Sequence, residues 1–344
     1  MQELIMRRPD DWHLHLRDAA GLRDVLPFTA SRFARAVIMP NLSPPVTTTA
    51  AALAYRERIR AALPHGADFT PLMTLYLTDH TAPEEIDRAV ASGAVVGAKL
   101  YPAGATTHAE AGVTDIRRLD AVFERMSERG LPLQVHGEVT DPDVDVFDRE
   151  ARFIDRVLEP LMRRCPQLRI VFEHVTTRAA VDFVCSARSG LAATITPQHL
   201  LLNRNALFQG GIRPHLYCLP VLKREADREA LLAAVARGDR RFFLGTDSAP
   251  HGRAAKETAC GCAGIFSAHA GIELYAEAFE SAGALDRLED FAASFGADFY
   301  GLPRNQSTIR LQRQDWRPPA HYPFGQGELV PFRAGEPIAW RIRP

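Results

Sequence analysis

The stretch TDIRRLDAVFERMSERGLPLQVHGEV, residues 114–139, holds the key to the fold. Ile116, Leu119, Val122, Phe123 and Met126 recur at helical spacing and so share one stripe, with Thr114 or Asp115 placed to cap its start and Gly130 its end. The run that follows, LPLQVHGEV (131–139), is short and apolar and ends on polar residues, which predicts a strand. The pattern then repeats. DREARFIDRVLEPLMRRCP (148–166) puts Phe153, Ile154, Val157, Leu158, Leu161 and Met162 on a second stripe, and LRIVFEHV (168–175) is a second strand-like run. Strand, helix and strand in succession imply parallel pairing with a crossover helix.

Working outward, eight strand-like runs stand out: LIMRR (4–8), RAVIMP (35–40), DFTPLMTLYLT (68–78), VVGAKLYP (95–102), the two runs above, LAATITP (191–197) and RRFFLGTDSAP (240–250). Eight such units predict an α/β fold, a closed (β/α)8 TIM barrel; an open doubly wound sheet is the alternative if one or two strands are miscounted. Two helical segments follow the eighth run, and then a Pro-rich tail from about residue 305 that reads as irregular. With no linker, charge run or repeat to divide it, residues 1–344 read as one domain with a C-terminal extension. The segment 198–225, QHLLLNRNALFQGGIRPHLYCLPVLKRE, has no assigned element and would lie over the C-terminal face of a barrel.

Bulk properties narrow the partners. A hydrophobic fraction of 46%, a charged fraction of 24% and a net charge of -1 are those of an ordinary globular chain, with no basic excess for nucleic acid or an anionic membrane. A small molecule is the expected partner. Neither a signal-type apolar segment nor a run long enough to span a bilayer is evident, so a cytoplasmic location is expected. Five cysteines without framework spacing read as reduced thiols. Cys260 and Cys262, one residue apart, fit core packing better than a zinc knuckle.

A barrel collects its chemistry at the C-terminal ends of the strands. His13 and His15 follow the first run, Asn41 the second, Lys99 lies in the fourth, His136 ends the fifth, His174 the sixth and Asp247 the eighth. A lone histidine of this kind is more often a satisfied core residue, and Asp247 could simply cap a turn. Together, four histidines, a lysine and an aspartate would converge on one mouth. On a strand, His13, His15 and Arg17 in PDDWHLHLRD (9–18) would share a face. Imidazoles with a carboxylate suit zinc or a similar ion. A lysine ammonium beside metal would be repulsive, so Lys99 is either kept from the centre or converted by carbon dioxide into an anionic carbamate able to bridge two ions.

RRPDDWHLHLRD, IMPNL, GAKLYPAGATT, LQVHGEVTD, FEHVTT, TPQHLLLNRN and GTDSAPH with KETACGCAG resemble the amidohydrolase superfamily and, within it, the short-chain (type II) dihydroorotases. The resemblance spans residues 7 to about 264. It implies two zinc ions per chain: His13, His15 and Asp247 on one, His136 and His174 on the other, with carboxylated Lys99 and a hydroxide bridging. It further implies that Arg17, Asn41 and His251 hold a substrate carboxylate, that Thr106 and Thr107 lie on a loop closing over substrate, and that Leu219 and Ala263 present backbone groups to the ring. The implied reaction is the reversible cyclisation of N-carbamoyl-L-aspartate to L-dihydroorotate, with Asp247 as the proton carrier and a homodimer as the assembly. Another cyclic amidohydrolase, such as a hydantoinase or allantoinase, or a non-catalytic scaffold relative are the alternatives. His65, His80, His108, His199, His215, His269 and His321 are expected to be structural or exposed.

Overall fold

The computed structural model describes residues 2–343. Its strands are β1 (Glu3–Arg7), β2 (Asp10–Leu14), β3 (Arg35–Ile38), β4 (Thr70–Tyr76), β5 (Val95–Leu100), β6 (Leu133–His136), β7 (Ile170–Glu173), β8 (Leu191–Ile195), β9 (Phe242–Leu244), β10 (Thr308–Trp316), β11 (Tyr322–Phe324), β12 (Gly327–Leu329) and β13 (Ile338–Arg343). Strands β2 to β9 form an eight-stranded sheet in chain order, and every pairing in it is parallel. The seam between β9 and β2 closes just beyond the strand ends, through Asp247 N to His13 O (2.9 Å), His15 N to Ser248 O (3.1 Å) and a parallel bridge between Leu14 and Ser248. The predicted (β/α)8 barrel is the fold.

The first barrel strand is not the expected one. LIMRR forms β1, which lies outside the barrel and pairs antiparallel with β10. The barrel opens instead with DDWHL, a run disguised by its two carboxylates. Both are buried because each has a partner: Asp10 accepts from Arg35 Nε at 2.9 Å, and Asp11 accepts from Thr246 N at 2.9 Å. By contrast β1 buries only Met6, and Ile5 is 58% exposed.

Between Asp11 and Leu14 the register of β2 slips by one residue against β3, a bulge that interrupts strict alternation. Trp12 accordingly packs with Val37, Leu72, Val171, Ala192 and Phe243 in a layer drawn from successive strands, while His13 stays free to face the mouth. Tyr300 stacks under Trp12 at 4.7 Å and accepts from Gln134 Nε2 at 2.8 Å, which floors the barrel. A second bulge lies where β5 meets β4, just before Lys99.

The helix expected over 114–130 is present. A 3-10 turn (Ile116–Leu119), capped by Asp115, runs into a helix (Asp120–Arg129) ended by Gly130 at φ 66°. The second stripe is one helical run from Arg149 to Arg164 with a π turn at Ile154–Leu158. The tail is not irregular: β10 pairs with both β1 and β13, and β11 pairs with β12. Its alternation is visible in hindsight, since Ile309, Leu311, Ile338 and Trp340 are buried. Residues 198–225 also hold structure, a short helix (Pro197–Leu201) and two 3-10 turns. Cys260 is exposed and Cys262 half-buried, so the pair packs no core; Gly261, at φ 46°, turns the chain there at the surface. All five thiols are free.

Candidate active site

Every strand-end residue singled out above comes to the C-terminal mouth of the barrel. His13, His15, Arg17, Asn41, Thr106, Thr107, His136, His174, Leu219, Asp247 and Ala263 line a single cavity, joined by Tyr101, Ala249 and Gly264. Lys99 lies buried beneath it, and His251 stands behind Arg17.

The tightest cluster is His13, His15 and Asp247. Asp247 Oδ1 is 3.3 Å from His13 Nε2 and 3.1 Å from His15 Nε2, the two Nε2 atoms are 3.3 Å apart, and the set has the geometry to hold a cation. His174 extends the cluster, its ring centroid 5.0 Å from that of His13 and 4.8 Å from that of His136. Burial and the Lys99 ammonium depress His174, whereas at His13 the Glu173 and Asp247 carboxylates outweigh burial and Lys99 and raise it.

Electrostatics favour the ligand forms of His15, His174 and Asp247. Burial pushes His15 down to about 4 and His174 well below the ordinary histidine value, so both are neutral. Burial opposes ionisation of Asp247, but His13 and the hydrogen bonds from His13 and His15 hold its carboxyl well below the usual range. Lys99 is pushed down to about 8 by burial. Its Nζ has no hydrogen-bond partner, and the same holds for the buried Nδ1 of His174. Orphaned polar atoms at this depth are rare unless a further group satisfies them. The donor set therefore fits a divalent metal, and the lone amine fits carbamate chemistry.

Three of these residues sit in left-handed backbone: Arg17 at φ 60°, His174 at φ 41° and Asp247 at φ 46°. Such strain persists only where neighbours fix it. Tyr55 donates its hydroxyl to Arg17 O, Thr194 Oγ1 accepts from His174 N at 2.7 Å, and His13 O accepts from Asp247 N at 2.9 Å. Arg17 therefore shares the mouth with His13 and His15 by a turn after β2, not by strand alternation.

The outer wall carries Arg17 and Asn41. Arg17 Nε donates to Pro250 O at 2.9 Å, and its Nη2 lies 2.8 Å from His251 Nε2. Burial and the Arg17 charge drive His251 down to about 2, so its ring is neutral. Asn41 Nδ2 donates to Thr107 O at 3.3 Å, and Thr107 Oγ1 accepts from Ala263 N at 3.1 Å. The loop bearing Thr106 and Thr107 is thereby seated across the mouth, leaving a cavity of about 20 Å3.

Supporting residues escaped sequence reading. Glu173 takes His13 Nδ1 at 2.8 Å and also accepts from Thr194 Oγ1 at 2.6 Å, while Glu138 takes His136 Nε2 at 2.9 Å. Orienting carboxylates behind imidazoles are a regular feature of metal sites. Glu138 had a signal, its i+2 spacing from His136; Glu173 had none, because it serves a histidine 160 residues away. His199 and His269 are buried and His321 exposed, all outside the cluster as expected.

This arrangement has relatives. The model of the amidohydrolase family matches residues 5–313. The chain belongs to the amidohydrolase family. Within this family it groups with proteins named dihydroorotase: one from Cupriavidus taiwanensis is 64% identical over 342 residues, covering 99% of both chains. The crystal structure of the Campylobacter jejuni dihydroorotase superposes with a TM-score of 0.91 at 35% identity, covering 99% of this chain and 98% of that one. The Saccharomyces cerevisiae dihydroorotase in complex with 5-fluoroorotic acid gives the same TM-score at 32% identity, covering 100% and 99%. Amidohydrolases are generally metal-dependent, in keeping with the donor set here. Among the described residues no helix is long and apolar enough to cross a membrane.

Proposed function

We infer that this chain is a dihydroorotase, interconverting N-carbamoyl-L-aspartate and L-dihydroorotate in pyrimidine synthesis. The observation that carries it is the presence, in one cavity, of a metal-competent cluster together with the cationic Arg17 and with Asn41, His251 standing behind Arg17. A hydantoinase would need the first but not the second. A scaffold relative would have lost ligands, and all six candidates are in place.

Two zinc ions would suit these donors: His13, His15 and Asp247 would hold one, His136 and His174 the other, and Lys99, once carboxylated, would add an anionic ligand. Carboxylation needs the free amine, which attacks carbon dioxide and releases a proton; a lysine depressed to about 8 supplies that amine near neutral pH. When bound, such ions supply a water acidic enough to ionise near neutrality and polarise the ring amide carbonyl.

The remaining work falls to protein groups. Arg17 offers its guanidinium to the substrate carboxylate, with Asn41 and His251 flanking it. Asp247, held ionised, would take the proton of the attacking water and return it to the departing ring nitrogen. Cyclisation reverses these transfers. Entry requires the Thr107 to Ala263 contacts to part, since a cavity of about 20 Å3 admits little more than a water. The five free thiols support a cytoplasmic enzyme. A homodimer completes the reading, and sedimentation tests it.

The experiment is to count metal per chain in protein purified without chelator while following dihydroorotate hydrolysis by ultraviolet absorbance. About two zinc ions and chelator-sensitive turnover are expected. Two metals without turnover on dihydroorotate would move the substrate to another cyclic amide.

A further inference from the structure

The chain contains 38 arginines but only three lysines, Lys99, Lys223 and Lys256. All three are buried, at 0%, 3% and 3% exposure. Where a cation faces solvent the sequence uses arginine; a lysine survives only inside. Lys99 already has a reason. Lys256 is the next to explain, because nothing in the reaction calls for it.

Its ammonium donates to Tyr217 O at 2.7 Å, Cys262 O at 2.9 Å and Gly264 O at 2.7 Å. The three N–H donors of a lysine are thus all spent on backbone carbonyls. Those carbonyls belong to two loops that both reach the cavity, one through Leu219 and the other through Ala263 and Gly264. The loops are also stapled directly, Gly264 N donating to Tyr217 O at 3.0 Å.

The geometry of residues 262–264 follows from this clasp. Lys256 gathers the carbonyls of Cys262 and Gly264, and the intervening carbonyl, that of Ala263, goes another way, toward His251 Nε2 at 3.0 Å. The Ala263 N–H, lying opposite the Cys262 carbonyl across their shared peptide, goes to Thr107 Oγ1 at 3.1 Å. Both polar groups of Ala263 therefore face the wall of the site formed by the Thr107 loop and His251. An arginine could not substitute, since its planar fork cannot converge on three carbonyls from one point.

We propose that Lys256 is a positioning residue for substrate binding: its three-carbonyl clasp fixes the two loops that bring Leu219, Ala263 and Gly264 to the wall of the cavity. This rests on the dihydroorotase reading. It places no demand on the metal ligands, none of which Lys256 touches.

The test compares zinc-reconstituted wild type with Lys256→Met, Lys256→Gln and Lys256→Arg, measuring KM and kcat for dihydroorotate, metal per chain and Tm. Lys256→Met is expected to raise KM about tenfold or more with kcat changed less than about threefold, the mark of lost binding rather than lost chemistry. Metal content should stay at the wild-type value. Lys256→Gln, keeping two donors, should fall between, and Lys256→Arg should fail to restore KM. A KM within about twofold of wild type in the Met and Gln variants overturns the proposal, even if Tm falls, because it would reduce Lys256 to a structural cation. A folded Lys256→Arg with wild-type KM overturns it too, and decides the matter should the Met and Gln variants fail to fold. Absence of turnover in the wild type would instead defeat the reaction assignment, and the proposal with it.

Discussion

At Lys99 the metal and the fold can be separated. Lys99→Ala removes a buried amine that has no hydrogen-bond partner, so no hydrogen bond is lost, although the truncation leaves a cavity, while the candidate shared ligand disappears. The expected outcome is near-complete loss of turnover with fewer than two metals per chain by elemental analysis, and full activity with two metals bound would refute the role. Arg17→Met should behave oppositely, raising KM for dihydroorotate about tenfold or more with metal content unchanged. Thr194 is subtler. Its hydroxyl accepts from His174 N and donates to the carboxylate that holds His13, so Thr194→Val should weaken zinc binding about tenfold to hundredfold, with Thr194→Ser restoring it. The positions of His13, His15, Lys99, His136, His174 and Asp247 were legible in the sequence because strand ends are marked by the polar residue that stops an apolar run. Glu173 and Thr194 were not, because Glu173 meets His13 across the barrel and Thr194 meets Glu173 and His174 through the pairing of β7 with β8, and no local pattern encodes either.

Among the elements, the barrel strands were legible wherever the run was apolar, and β2 was missed where pairing with Arg35 and Thr246 let carboxylates into the interior. Two glycines show how closely the layers approach. A Cβ on Gly137, the residue after His136, would lie 1.9 Å from the Phe172 ring, and one on Gly296 would lie 2.0 Å from Trp12. Either Gly→Ala change should destabilise by about 1–3 kcal/mol or more in denaturant unfolding, since neither ring is at the end of a flexible chain. Gly137→Ala should also cost metal affinity by displacing His136, whereas Gly296→Ala, at the opposite end of the barrel, should leave metal content alone. Equal effects on metal would argue against so local an origin.

At the scale of the whole molecule, the chain closes on itself: β1 near the start pairs with β10, and β10 pairs with β13 near the end. The tail also packs on the helix Gly271–Ser281, where Ala339 N donates to Glu277 at 2.6 Å. That helix carries Tyr275, whose hydroxyl donates to Ile195 O at 2.7 Å at the end of β8. We take residues 1–344 as one cooperative unit, for which a single unfolding transition by calorimetry is expected. Ending the chain before β13 should lower Tm by several degrees and reduce the yield of active protein, because Trp340 and Ile338 leave a bare apolar face behind. A truncated chain with unchanged Tm would show the tail to be an appendage.

The confinement of every lysine to the interior has a practical side. An amine-acylating reagent meets no lysine on the folded surface, so its uptake at lysine reports how often the barrel opens. The same scarcity makes the carbamate easy to see: with isotopically labelled bicarbonate, only three lysine amines in the molecule could carry the label. Lys223 and Lys256 already donate to backbone carbonyls, which leaves Lys99 as the one expected to take it.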